Sequence, residues 1–263
     1  MSAPSFYETE RAVSEYLLFH YGASTETMPW SFGPITALEY PARCVSECLD
    51  IERLPLNPRA LDLGCAVGRS TFELARHCQE VVGIDFSERF IEVAGRLKDQ
   101  GSLAYEYAEE GLLRSTALAT VPPEIDRMRV RFEHGDAQAL RPDLGQFDVV
   151  LLANLLDRLP DPRAFLQVLP SLIRRGGQLI CATPCTWLEE YTPVSNWLGG
   201  FVHQGHSVTT LATLEFTLGP SFSRVRTLDI PFSIREHRRK FQWSVAQSTV
   251  WIRKDSETSP VGC

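Results

Sequence analysis

From residue 58 onward the chain alternates short apolar runs with amphipathic stretches, and this rhythm restricts the fold more than any other feature. "RALDLG" (59–64), "EVVGIDF" (80–86), "RVRFEHGD" (129–136), "QFDVVLLA" (146–153) and "QLICATP" (178–184) read as strands. "RSTFELARHC", "SERFIEVAGRLKD" and "DPRAFLQVLPSLIRRGG" read as helices, the second N-capped by Ser87 and the third running to the pair Gly176 and Gly177. Such alternation predicts right-handed βαβ crossovers and a mostly parallel, doubly wound α/β sheet covered on both faces. Two late runs, "RVRTLDIPFSI" and "KFQWSVAQSTVWIRK", predict an antiparallel edge. Sites in sheets of this kind lie beyond the carboxyl ends of the strands.

The remainder divides around this domain of residues 58–255. Residues 1–57 predict an N-terminal helical cap: "YETERAVSEYLLFHYG" has helical spacing with Gly22 as C-cap, and "YPARCVSECLDIERL" gives a second helix closed by Pro55 and Pro58. Residues 101–128 are longer than a crossover needs and predict an insertion, helical as far as Pro122 and Pro123. Residues 183–205 form a loop directly after a strand end, where loops usually build sites. Residues 256–263 predict a flexible tail.

Several function classes are disfavoured. A net charge of -7 with no long basic block argues against a nucleic-acid surface. No apolar run reaches the roughly 18 residues of a membrane helix, and "MSAPSFYETER" lacks the order of a secretory signal, so the expected location is the cytoplasm. Seven cysteines without a C-x-x-C pair signal neither a disulfide framework nor a metal site. Cys44 with Cys48, Cys181 with Cys185, and the nearby His203 and His206 are read as ordinary core and surface residues.

"LDLGCAVGRS" (61–70) sets a strand, a glycine turn and a helix in succession, so backbone N–H groups face whatever lies above the turn. Asp85 ends the next strand, about twenty residues on, where a carboxylate can accept both hydroxyls of a ribose. These features alone fit a dinucleotide or S-adenosylmethionine. Gly64 and Gly68 do not complete G-x-G-x-x-G, because Ala66 stands at the middle position; that substitution predicts a less extreme backbone there. Asp136 and Ala137 follow the third strand, where an acid can meet the exocyclic amine of adenine.

In the order and content of these motifs, about residues 58–185 resemble class I S-adenosylmethionine-dependent methyltransferases. The resemblance implies a Rossmann-like, seven-stranded sheet with its last strand antiparallel. It implies S-adenosylmethionine as cofactor, S-adenosylhomocysteine as product and no metal. Its carried-over cofactor contacts are Asp62, Gly64, Cys65, Gly68, Arg69, Asp85, Phe86, Asp136, Ala137 and Asn154, with Arg69 a partner for the methionine carboxylate.

"ANLLDRLPDP" places Asn154 at the end of the fourth strand and Asp157 one turn on. An amide and a carboxylate there suit a flat heterocycle with one N–H and one lone-pair nitrogen, as in imidazole. Asp157 can hold the N–H and leave the other nitrogen free to attack, while Asn154 positions the ring. Asp161, ahead of Pro162, is the better placed helix cap, which leaves Asp157 for this role.

A narrower resemblance rests on "YETERAVSEYLLFHYG", "DLGCAVGRSTFELAR", "GIDFSERFI", "LLANLLDRLPDPRAFL", "TWLEEYTPVSNWLGGF" and "DIPFSIREHRRKFQWSVAQSTVW". These are similar to the 4-mercaptohistidine N1-methyltransferases of ovothiol synthesis, over nearly the whole chain. The "NLLD" spacing also resembles that of protein-histidine N1-methyltransferases. The narrower resemblance implies a stand-alone version of a domain that elsewhere ends a longer ovothiol synthase, working with a separate sulfoxide synthase. For the amino-acid end of the substrate the candidates are Arg158, Arg235 and Lys240 for the carboxylate and Glu189 or Glu190 for the ammonium. Tyr16, His20 and Tyr21 are expected as a lid, and Trp187, Tyr191 and Trp197 as walls of the ring pocket. Rival readings are a methyltransferase of another imidazole, a non-catalytic cofactor-binding module and, disfavoured by Ala66, a nicotinamide oxidoreductase.

Overall fold

The structure is a computed structural model describing residues 6–255, so the expected tail at 256–263 lies outside the described residues. The chain opens with helices α1 (Glu10–Tyr21), α2 (Ser24–Thr27) and α3 (Tyr40–Ser46). Thr9 caps α1 by accepting from Ala12 N, and the helix buries Ala12, Val13, Leu17, Leu18 and Phe19 in the core on one side of the sheet. Strand β1 (Arg59–Leu63), α4 (Arg69–Leu74), β2 (Glu80–Asp85) and α5 (Glu88–Gln100) follow. Ser87 caps α5 by accepting from Phe90 N, as its sequence position predicts.

The predicted insertion is not helical. It is a two-stranded antiparallel hairpin of β3 (Ser102–Glu110) and β4 (Leu113–Thr120), turning at Gly111. Leu103, Tyr105 and Tyr107 point inward at every second residue and pack on the same core as α1, so tertiary burial overrides the helix preference of Ala, Glu and Leu.

Then come β5 (Val130–His134), β6 (Phe147–Ala153), α6 (Pro162–Leu172) and β7 (Ile173–Thr183). Here too an expectation fails: α6 stops at Leu172, and Gly176 and Gly177 lie inside an irregular start of β7. Gly176 has φ +74, and a Cβ on Gly177 would come within 2.8 Å of the Arg174 carbonyl oxygen, so both glycines serve a bulge instead of a helix cap. After the 183–205 loop and its small hairpin of β8 (Phe201–His203) and β9 (His206–Val208), the chain ends in α7 (Thr210–Leu218), β10 (Phe222–His237) and β11 (Lys240–Arg253).

Seven strands form one sheet in the order β10-β11-β7-β6-β1-β2-β5. The run from β7 to β5 is parallel, and β11, the last strand, is antiparallel to both β7 and β10. This is the predicted Rossmann-like α/β sheet, with β11 inserted ahead of the β10 edge. The strand order reverses between β1 and β6. At about 4.8 Å per strand, the five parallel strands offer a ledge of about 19 Å along their carboxyl ends. No helix of the described residues is long and apolar enough to cross a membrane.

Candidate active site

Gly64, Asp85, Asp136, Asn154 and Cys185 each follow or end one of the five parallel strands, so the ledge gathers the residues singled out in the sequence. After β1 the chain turns sharply: Gly64, Ala66 and Gly68 have φ +73, +47 and +87. Ala66 is therefore left-handed, against the milder conformation expected of it. The strain of order 1 kcal/mol that a Cβ suffers there is offset by a hydrogen bond from its N–H to Asp85 Oδ2 at 2.8 Å. Gly68 tolerates no side chain, since a Cβ would lie 2.5 Å from the Phe132 ring.

Asp85 accepts from Ser87 N as well, so one carboxylate clamps the turn after β1 to the start of α5. Burial raises its pKa, and each oxygen keeps a second lone pair for a ribose hydroxyl. Phe86 is 57% exposed and presents a bare aromatic face beside it. Asp136 caps its own turn by accepting from Gln138 N and remains exposed, while Ala137 packs against the core beneath. Asp62 and Cys65 are buried. Asp62 accepts from Ser70 and Thr71 hydroxyls through Oδ2, leaving Oδ1 without a partner, and burial pushes its pKa up to about 6. Arg69 pairs with Glu73 at 2.8 Å, but its buried Nε has no partner. The glycine turn, the exposed Phe86 ring and the Asp85 carboxylate are the groups that could hold an adenosine.

Asn154 is also left-handed, at φ +56, and its N–H donates to the Ala182 carbonyl. Its Oδ1 accepts from the buried Tyr40 hydroxyl at 2.7 Å. The amide thus keeps its NH2 group and a second lone pair on Oδ1. Asp157 has no exposed surface. Its Oδ2 accepts from Thr186 N at 3.0 Å and Arg158 Nη1 at 3.1 Å, and its Oδ1 has no partner. Burial raises its pKa while Arg158 opposes the rise. Asp161, as expected, caps α6 by accepting from Ala164 N.

Helix α1 brings Tyr16, His20 and Tyr21 to the same end of the sheet. The Tyr16 ring packs 4.7 Å from Phe90 and 5.8 Å from His20. The Tyr21 hydroxyl donates to the Val67 carbonyl, tying the helix to the glycine turn, and its ring lies 5.7 Å from the Arg69 guanidinium. Burial, reinforced by Arg69, holds the His20 pKa down to about 3, so the ring is neutral, and its buried Nδ1 has no partner. Tyr191 lies 4.7 Å beneath the Arg158 guanidinium.

Other expected site residues are placed elsewhere. Trp187 is core: its Nε1 donates to Thr210 Oγ1, and it packs with Leu198 and Leu214. Trp197 donates to the Thr192 carbonyl in the same layer. Arg235 is 2% exposed and bound to Glu109 and the Glu26 carbonyl, and Lys240 pairs with Glu236. Both line a cleft of about 1220 Å³ behind α1 that includes none of the ledge residues. Glu189 and Glu190 are exposed on the loop and form no ion pair among the described residues. Cys44, Cys48 and Cys181 are buried free thiols, and no cluster of His, Cys, Asp or Glu able to hold a metal occurs among the described residues.

Two residues of the site escaped sequence reasoning. Tyr40 sits on α3, 114 residues from Asn154. Tyr7, ahead of α1, has its ring 6.0 Å from both Tyr16 and Phe90 and its hydroxyl beside Arg158 and Tyr191. Neither carries a local signal, because partners so distant in sequence meet only through the fold.

Residues 61–181 match a family described as a methyltransferase domain. Ubiquinone biosynthesis O-methyltransferases are similar: that of Coxiella burnetii (strain Dugway 5J108-111) is 27% identical over 123 residues, 47% of this chain and 42% of its own. That of Cereibacter sphaeroides (strain KD131 / KCTC 12085) is 32% identical over 125 residues, 48% of this chain and 40% of its own. The chain therefore spans about two fifths of the length of these curated relatives. A solved S-adenosylmethionine-dependent methyltransferase from Methanosarcina mazei shares the fold, with a TM-score of 0.52 at 17% identity over 77% of this chain and 95% of that one. Residues 61–181 are thus similar to a methyltransferase domain, and the chain shares its fold with that solved structure.

Proposed function

We propose that the protein is an S-adenosylmethionine-dependent N-methyltransferase acting on imidazole N1 of 4-mercaptohistidine to give ovothiol A. The observation that carries this reading is the half-buried Asn154 amide at the end of β6, fixed by the Tyr40 hydroxyl, with the Asp157 carboxylate three residues on. The narrower sequence resemblance supports the choice of ring, and the cover of α1 over the ledge favours a small substrate over a protein chain.

Bound S-adenosylmethionine supplies an electrophilic methyl on a positively charged sulfur. The work left to the protein is alignment. The Asn154 amide, locked by Tyr40, donates toward the substrate, and Asp157 holds the proton of the ring nitrogen remote from the side chain. That fixes the tautomer in which N1 keeps its lone pair, within about 3–3.5 Å of the methyl in a productive complex. As N1 is methylated the ring gains positive charge, which the Asp157 carboxylate stabilises and whose proton it can take, its raised pKa making it a better acceptor than a solvated aspartate. Neutral Tyr16 and His20 exclude water without adding charge. In this reading a sulfoxide synthase reaction provides the mercaptohistidine.

The test compares wild type with Asp157→Asn. Turnover of 4-mercaptohistidine should fall by at least about 100-fold, in the range of general acid–base contributions, with S-adenosylmethionine affinity within about threefold. An unimpaired variant would remove Asp157 from the mechanism.

A further inference from the structure

A substrate that is an amino acid must also present a carboxylate, and the cations near the site differ in what they have left to offer. Arg235 and Lys240 are spent on Glu109 and Glu236 in the cleft behind α1. Arg69 belongs to the cofactor end of the ledge.

Arg158 is arranged differently. Its Nη1 alone makes the hydrogen bonds to the framework: the Asp157 carbonyl at 2.9 Å, Asp157 Oδ2 at 3.1 Å and the Thr186 carbonyl at 3.1 Å. These fix the plane of the guanidinium. The edge formed by Nε and Nη2 meets no partner among the described residues apart from the Tyr7 hydroxyl beside the group. Tyr191 covers one face at 4.7 Å. Tyr7 is itself held in place: its carbonyl accepts from Ser87 Oγ at 3.1 Å, and the adjacent Glu8 accepts from the N–H groups of Glu88 and Arg89 at the start of α5.

We propose that the free edge of Arg158 and the hydroxyl of Tyr7 form the carboxylate subsite for an α-amino-acid substrate. This rests on the imidazole reading above and extends it. A planar guanidinium edge pairs with a carboxylate through two parallel N–H bonds, and the phenol donates a third. Arg158 lies four residues after Asn154, so a single segment holds the ring at one end and the carboxylate at the other. The subsite selects amino acids over the corresponding amines, because an amine leaves these donors unmet.

The experiment measures kcat and KM for 4-mercaptohistidine and for its decarboxylated amine in wild type, Tyr7→Phe and Arg158→Gln, with S-adenosylhomocysteine affinity by calorimetry in each. Wild type should prefer the amino acid by on the order of 100-fold in kcat/KM, about 2.7 kcal/mol. Tyr7→Phe should raise KM for the amino acid about tenfold with little change in kcat, and Arg158→Gln should erase the preference. S-Adenosylhomocysteine affinity should shift by less than about threefold, which separates this role from a general loosening of the loop. Equal use of acid and amine by wild type, or a preference that survives in Arg158→Gln, overturns the subsite and leaves the imidazole reading standing. A wild type that binds S-adenosylhomocysteine and methylates neither compound defeats the imidazole reading, and the subsite with it.

Discussion

The Tyr40 hydroxyl and the Asn154 amide oxygen meet at 2.7 Å, so the orientation of the amide at the end of β6 is set by the N-terminal helical region. Removing the hydroxyl in Tyr40→Phe leaves the amide free to rotate and its oxygen unmet. Steady-state kinetics should show kcat down about tenfold, and thermal unfolding a loss of about 1–2 kcal/mol. Cofactor affinity should change little, because the hydroxyl that is removed bonds Asn154, whereas the glycine turn is held by Asp85.

Asp85 serves two purposes, holding the N–H groups of Ala66 and Ser87 and offering lone pairs to the ribose. Asp85→Ala should weaken S-adenosylmethionine binding by about 10- to 100-fold by calorimetry, the loss of one or two charge-assisted hydrogen bonds. It should also lower the melting temperature, since two backbone donors lose their acceptor.

Two positions of the turn should differ in their tolerance of small changes. Gly68→Ala forces a Cβ to within 2.5 Å of Phe132 at φ +87, and should cost about 2–4 kcal/mol in chemical denaturation. Ala66→Gly relieves a φ of +47 while adding freedom to the unfolded chain, and these nearly cancel, within about 1 kcal/mol.

His20 makes stability depend on pH. Its folded pKa of about 3 lies below the ordinary 6.5, so the unfolded chain binds a proton that the folded one refuses. The contribution is fully present above about pH 6.5 and is lost as pH falls from there toward 3. Between pH 7 and pH 5 the loss should be about 2 kcal/mol. Urea unfolding of His20→Gln should lack this component, so the pH slope of the variant should be shallower than that of wild type by that amount.

Much of this architecture was legible locally. Gly64, Asp85, Asp136 and Asn154 stand where a strand gives way to a turn, and such punctuation depends on a few adjacent residues. The hairpin at 102–120 was misread because Ala, Glu and Leu favour helix, although Leu103, Tyr105 and Tyr107 already alternated at the period of a strand. Gly176 and Gly177 resembled a helix end, yet their role depends on the register of β7 against β6. Arg235 and Trp187 carried the right chemistry for a site, but a long strand and a core layer took them away from it. Tyr7 and Tyr40 illustrate the complementary gap: each gains its role from a residue more than a hundred positions away.

The most direct test of the central claim supplies the protein with methyl-labelled S-adenosylmethionine and 4-mercaptohistidine, and locates the label in the product by NMR. The account predicts one labelled methyl on the ring nitrogen nearer the side chain, none on sulfur, and loss of the product in Asp157→Asn. Label on the sulfur or the other nitrogen, or no transfer by protein that binds the cofactor, would contradict it.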